Sequence, residues 1–150
     1  MIIRKYTSID CLSTLRLFYD TVHTVNAADY SKRQLNAWAT GKEDVEIWNK
    51  TLLNNYSVVA EIDGITVGFG DIDETGYLNR LYVGANFQRI GVAAAICDEL
   101  EKYCPHKKIV VHSSITAKGF FVKRGYVIIR EQKVERRGVL LTNLVMEKIL

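Results

Sequence analysis

The chain has 150 residues, 48% of them apolar and 25% charged, with one Pro and no low-complexity tract, which is about one globular domain's worth of chain and excludes a disordered or collagen-like protein. The longest apolar run, Val92 to Cys97, is far short of the roughly 20 residues a membrane-spanning helix needs, and the N-terminus lacks a basic segment followed by an apolar one, so an uncleaved cytoplasmic protein is expected. The net charge of +3 conceals a split: residues 1–100 hold 9 Lys/Arg against 13 Asp/Glu, residues 101–150 hold 11 against 4, a balance that suits either a polyanionic partner or a solvated basic face.

In chain order, Ile2 to Tyr6 alternates as a short strand. Thr7 and Asp10 have capping-box spacing ahead of a helix whose apolar positions are Leu12, Leu15, Tyr19, Val22 and Val25. A second helix over Lys32 to Ala39 carries Leu35 and Trp38 and stops before Gly41; a third carries Val45, Trp48 and Leu52. Tyr56 to Ile62 and Ile65 to Ile72 are β-branched runs joined by Asp63-Gly64, which suits a type I′ hairpin turn. A turn at Asp73 to Gly76 leads into a third strand, Tyr77 to Val83. Gly91 to Tyr103 is helical, Pro105 lies just past its end, and Lys108 to Ser114 reads as a buried strand, completing a βαβ unit. A short helix over Thr116 to Arg124 stops at Gly125. Strands Tyr126 to Val134 and Val139 to Glu147 close the chain as a hairpin across Arg136-Arg137-Gly138. The expectation is one α/β domain over residues 1–150, a three-layer mixed β-sheet flanked by helices, with strand order undetermined beyond the hairpins and the βαβ unit.

Cys11, Cys97 and Cys104 are an odd number without CxxC spacing, so neither a disulfide framework nor a metal site is expected, and buried free thiols are the natural reading. The segment with chemistry is Leu81 to Ala94. It is a strand ending in a loop, with Gln88, Gly91 and Ala93 at i, i+3 and i+5, opening directly into a helix. A helix start offers free N–H groups and partial positive charge, and small residues let a pyrophosphate approach the main chain. Neither GxxxxGK[ST] nor a GxGxxG placed for a dinucleotide occurs.

With Leu81-Tyr-Val, Gln88-Arg-Ile-Gly-Val-Ala93 and Ala117-Lys-Gly-Phe-Phe-Val-Lys-Arg-Gly-Tyr126 in this order, the sequence resembles the GNAT acetyltransferase superfamily over nearly its whole length. Thr21 to Tyr30, with Gln34 and Trp38, resembles a bacterial subgroup of it. The resemblance implies acetyl-CoA as acyl donor, lying between the strands that end at Val83 and Ser114. Leu81, Tyr82 and Val83 would hold the pantetheine arm. Gln88, Arg89, Ile90, Gly91, Val92, Ala93 and Ala94 would hold the pyrophosphate, and Ser114 and Phe121 would line the donor site. It also exposes three departures: Ile90 where many members have Arg, Phe121 where many have a Tyr that protonates the CoA thiolate, and Tyr77 where some have a Glu base.

The candidates for a general base are therefore His23, Asp71 and His112, since a base must take an ammonium proton near neutral pH. His112 sits in a strand that reads as buried, and Asp71 precedes a turn it could cap. Asp29, Tyr30, Trp38, Tyr77 and Asn79 are candidates for the acceptor pocket. The expected partner is a small-molecule or peptide amine, attacking the thioester directly in a ternary complex. A homodimer is left open, and no nucleic acid, membrane or metal is expected. The competing readings are an acyl-CoA-binding module without turnover and, from the C-terminal basic residues, a nucleic-acid binder.

Overall fold

The computed structural model describes residues 1–150 as a seven-stranded sheet between two helical layers. The strands are β1 (Ile2–Lys5), β2 (Tyr56–Ile62), β3 (Ile65–Ile72), β4 (Tyr77–Val83), β5 (Lys108–Ser114), β6 (Val127–Arg136) and β7 (Val139–Ile149), in the order β1-β2-β3-β4-β5-β7-β6. The helices are α1 (Cys11–Thr24), α2 (Lys32–Trp38), α3 (Val45–Asn54), α4 (Val92–Tyr103) and α5 (Lys118–Lys123). All neighbours are antiparallel except β4 and β5, which the α4 crossover joins in parallel. β7 comes between β5 and β6, an arrangement that strand patterning alone does not specify.

The two tight hairpins have the same cause. Asp63 and Gly64 have φ of 51° and 76°, Arg137 and Gly138 have 50° and 76°, the paired positive values of a type I′ turn whose twist matches the strands it joins. Each sheet face buries its own apolar cluster. Val58, Ala60, Leu78, Ile109, Val111 and Met146 face α4 and α5. Val59, Phe69 and Leu141 face α1, α2 and α3. Helix α4 sits directly on β3 because Gly68 and Gly70 lack side chains: a Cβ on Gly70 would lie 2.9 Å from Ile96 Cγ2 and from the Arg80 carbonyl.

Helix α1 corrects the expected stripe. The buried positions are Cys11, Thr14, Phe18, Thr21 and Val22, while Leu12 is 69% exposed and Tyr19 also reaches solvent. Both stripes satisfy helical periodicity. Packing selects the one whose Thr14 hydroxyl accepts the Trp48 indole N–H at 3.1 Å and whose Phe18 ring lies 5.1 Å from Trp48. The expected capping box at Thr7 opens a short 3-10 turn, Ser8–Asp10, that leads straight into α1, with the Thr7 N–H donating to Asp10 at 2.9 Å. Asp10 in turn accepts two Arg4 N–H groups at 2.7 and 2.8 Å.

Candidate functional site

The parallel pairing of β4 and β5 is brief: Tyr77 opposes Val110 and Leu78 opposes Val111, and beyond them no pair forms. The reason is visible on the other edge of β4, where Ile72 pairs with Leu78 but Asp71 pairs with Arg80, so Asn79 is an inserted bulge residue. A bulge bends its strand and re-aims the residues after it. The last residues of β4 consequently diverge from β5, leaving a strand edge free along a cavity of about 1120 Å³.

The cavity runs from this splay to the start of α4. Gly91 caps the helix at φ 92°, a left-handed conformation that glycine adopts without strain, and a Cβ there would meet nothing within 4 Å. The first intrahelical bond runs from the Ala95 N–H to the Gly91 carbonyl at 3.0 Å, so the N–H groups of Val92, Ala93 and Ala94 have no partner in the helix. Arg89 also has positive φ, 62°, and the Gln88 side chain donates to the Val83 carbonyl at 2.6 Å, pinning the loop to the strand end. Open space above Gly91, unpartnered amides and the helix dipole together fit a pyrophosphate. Arg89 and Lys123, cations lining the same cavity, have no acidic partner.

Of the residues expected to hold the donor, Leu81, Tyr82, Val83, Gln88, Arg89, Gly91, Val92, Ala93, Ala94, Ser114 and Phe121 all line this cavity. Ile90 is the exception: it is 59% exposed outside the cavity, because the turn through Arg89 carries it away from the helix start. Ser114 accepts the Ala117 N–H at 3.0 Å and so shapes the start of α5. Phe121 is buried between Phe120 and Tyr126, with ring centroids 5.2 and 5.0 Å away. Tyr126 is not the missing acid, since its hydroxyl donates to Glu101 at 2.9 Å on the α4 side.

The three candidate bases have different fates. His23 does not reach the cavity; its Nε2 lies 2.8 Å from the Ala39 carbonyl and its ring packs 4.2 Å from Tyr19, tying α1 to the end of α2. Asp71 does not cap a turn but lies inside β3, fully buried, with Arg80 at 2.7 Å, Asn55 at 2.9 Å and Asn79 at 3.4 Å donating to one oxygen. Burial pushes its carboxyl up and those three donors oppose the shift; with Arg80 it braces the bulge. His112 lines the cavity and is exposed to it, correcting the buried reading of its strand: β5 alternates, turning Ile109, Val111 and Ser113 inward to α4 and α5 and His112 the other way. Its ring lies 5.0 Å from Tyr77 and its Nδ1 is 3.4 Å from Gln132 Nε2. Partial burial, then Arg130 and Arg136, hold its pKa below the ordinary value, which keeps the imidazole neutral at pH 7.

On the acceptor side Trp38 and Asn79 line the cavity, while Asp29, Tyr30 and Tyr77 stand behind its wall. The Tyr30 hydroxyl is already engaged, donating to the Thr142 carbonyl at 2.6 Å and accepting the Ile115 N–H at 3.0 Å. Asp29 accepts the Thr116 hydroxyl at 2.8 Å. Both fasten the segment after α1 to the end of β5. Trp38 donates to the Tyr82 hydroxyl at 3.2 Å, and burial pushes that phenol up to about 12, so it stays protonated. The sequence reading missed Thr21 and Asn26 in the wall; the Thr21 hydroxyl is buried without a hydrogen-bond partner, a property of packing with no sequence signal. No group of three or more His, Cys, Asp or Glu side chains is placed to hold a metal.

A strand-edge cleft leading to an amide-rich helix start suits an acyltransferase, and the known proteins it resembles are of that class. The sequence pattern described as acetyltransferase (GNAT) domain matches residues 26–148, and the chain belongs to that family. It is 34% identical over 144 residues to the uncharacterised N-acetyltransferase YafP of Escherichia coli K12, covering 96% of this chain and 93% of that one. A crystal structure of a GCN5-related N-acetyltransferase from Rhodopseudomonas palustris superposes with a TM-score of 0.96 at 30% identity, covering 99% of this chain and 95% of that one. PaiA N-acetyltransferase of Thermoplasma acidophilum, solved in complex with coenzyme A, shares the fold with a TM-score of 0.80 at 17% identity, covering 99% and 98%.

Proposed function

We propose that this protein transfers an acetyl group from acetyl-CoA to a primary amine by direct attack within a ternary complex. The observation that carries the reading is the continuity of the cavity, from the free amides of α4 along the unpaired edge of β4 to the imidazole of His112. The edge can take the pantetheine arm as an added strand would be taken, and the α4 start can take the pyrophosphate. Coenzyme A bound to PaiA, a protein of the same fold, supports the choice of donor.

His112 is the base. As the amine nitrogen bonds to the thioester carbon, the C–S bond breaks, and the nitrogen's proton passes to the imidazole directly or through water. Placement of the two reactants and main-chain N–H groups at the bulge supply most of the acceleration. Phe121 offers no proton, so the thiolate leaves into solvent, which is tolerable because thiols ionise near pH ~8.5.

The test is calorimetric titration with CoA and acetyl-CoA, followed by measurement of free CoA release with an amine panel. Micromolar binding with a negative heat-capacity change, and amine-dependent release, are expected. Tight binding with no release above buffer hydrolysis would make the protein an acyl-CoA binder, and no binding at millimolar ligand would remove the reading altogether.

A further inference from the structure

Strand register places a second set of groups on the His112 side of the sheet. His112 opposes Val145 on β7, and Val145 opposes Arg130 on β6, so these three side chains share one row and one face. The next row on that face is Ser114, Asn143 and Gln132. Alternation along β6 brings Arg136 to the same face, as it does Val134, which packs on the α1–α3 cluster.

The charges on this face are unbalanced. Alternation sends Glu131 and Glu135 to the opposite face, so the arginines are not neutralised by their own strand. Glu147, on the cavity side, is paired with Lys108 at 3.6 Å, and Asp71 is enclosed with Arg80. Arg130 and Arg136 take part in no ion pair, and Arg136 Nη1 reaches only the neighbouring Glu135 carbonyl at 3.0 Å. Both arginines are exposed on β6 and stand outside the lining of the cavity, and the charge of each lowers the pKa of the His112 imidazole beside it. Independently, Asn143 Oδ1 in the adjoining row is buried with no hydrogen-bond partner, an acceptor awaiting a donor.

We infer that the acceptor is an amine that also carries an acidic group, a carboxylate or a phosphate, a few bonds from the reacting nitrogen. Arg130 and Arg136 take the anion while the nitrogen faces His112. Strands lie ~4.8 Å apart, so the row from His112 to Arg130 spans about 10 Å, and an extended arginine covers much of that distance. The remaining gap suits a short molecule with both groups. The inference rests on the acetyl-transfer reading of the same site and narrows its substrate class.

The experiment compares matched acceptors: β-alanine against propylamine for the carboxylate, and O-phosphoethanolamine against ethanolamine for the phosphate. At least one acid should show a kcat/KM tenfold or more above its neutral partner. Measured at pH 8, where the imidazole is neutral with or without either arginine, Arg130→Gln and Arg136→Gln should each raise KM for that acid about tenfold and raise KM for the neutral amine far less, with CoA affinity and melting temperature unchanged. Neutral amines turned over as well as both acids would overturn the inference and leave acetyl transfer standing. If no amine releases CoA, acetyl transfer falls. Titration of the two acids into CoA-saturated protein then decides the anion site alone: binding that Arg130→Gln abolishes upholds it, and no binding overturns it.

Discussion

On the α4 face the end of the cleft proposed for the phosphates comes from consecutive residues, Gln88 to Ala94, and what it offers is free main-chain N–H groups. On the opposite face the equivalent wall is gathered from Trp38 of α2, Asn79 of β4 and His112 of β5, and side chains carry it. A local, main-chain site tolerates side-chain change so long as the backbone keeps its shape. An assembled, side-chain site depends on the sheet holding distant residues in register, and each of its members can be removed without disturbing the donor. The two halves should therefore fail separately.

Gly91→Asp is the harshest test of that separation. It puts a carboxylate where the proposed site would hold the pyrophosphate, and should weaken CoA binding a hundredfold or more, about 3 kcal/mol, by calorimetry. A Cβ at Gly91 meets only open space, so the cost to the fold is the backbone strain of a side chain at φ 92°, about 1–2 kcal/mol, and the melting temperature should fall by only a few degrees. Unchanged affinity in the folded variant would refute the assigned loop.

His112→Gln breaks the other half. Turnover should fall about a hundredfold, within the usual worth of a general base, with CoA affinity unaltered. The pH profile gives the sign. The active imidazole is neutral and its pKa lies below the ordinary value of 6.5, so the acid limb of kcat/KM in the parent should fall below pH 6.5, activity being lost as the pH drops through it. That limb should vanish in the variant, and a limb that persists would assign the proton to another group.

Tyr30→Phe reaches the acceptor half through its support. Without the hydroxyl, the Thr142 carbonyl and the Ile115 N–H lose their partner, at a cost of about 1–3 kcal/mol of stability in denaturant. Acceptor KM should rise several-fold while CoA affinity holds. A parallel loss of CoA affinity would show that the two halves are mechanically coupled.

This contrast also explains what the sequence revealed. Hairpins signalled by Asp63-Gly64, the glycine-led start of α4 and the order of elements are local properties, and they are legible because turn chemistry and periodicity act over a few residues. Ile90 was misplaced because one positive φ at Arg89 turns it outward. The buried stripe of α1 was offset because helical periodicity allowed two faces and Trp48, far along the chain, selected one. Asp71 and His112 are both candidate bases in the sequence, one before a turn it could cap and the other in a strand that reads as buried. They are separated by the Asn79 bulge, which locks one beneath Arg80, and by the β5 alternation, which turns the other to the cavity. The row from His112 to Arg130 depends on β7 entering between β5 and β6, a long-range pairing with no local signature.

The smallest effect expected is a gain. Phe121 lines the donor end of the cavity at a position where a phenol could protonate the departing thiolate, and Phe121→Tyr tests whether that proton limits the rate. The ring is packed against Phe120 and Tyr126, so the added hydroxyl has room only on its cavity side; burial elsewhere would cost stability. Turnover should rise less than tenfold, with the largest rise at mildly alkaline pH, where solvent and imidazolium supply protons to the thiolate least readily. An unchanged rate with unchanged stability would mean that thiolate departure is already fast, and that the acceptor half alone, through His112, sets the speed of the reaction.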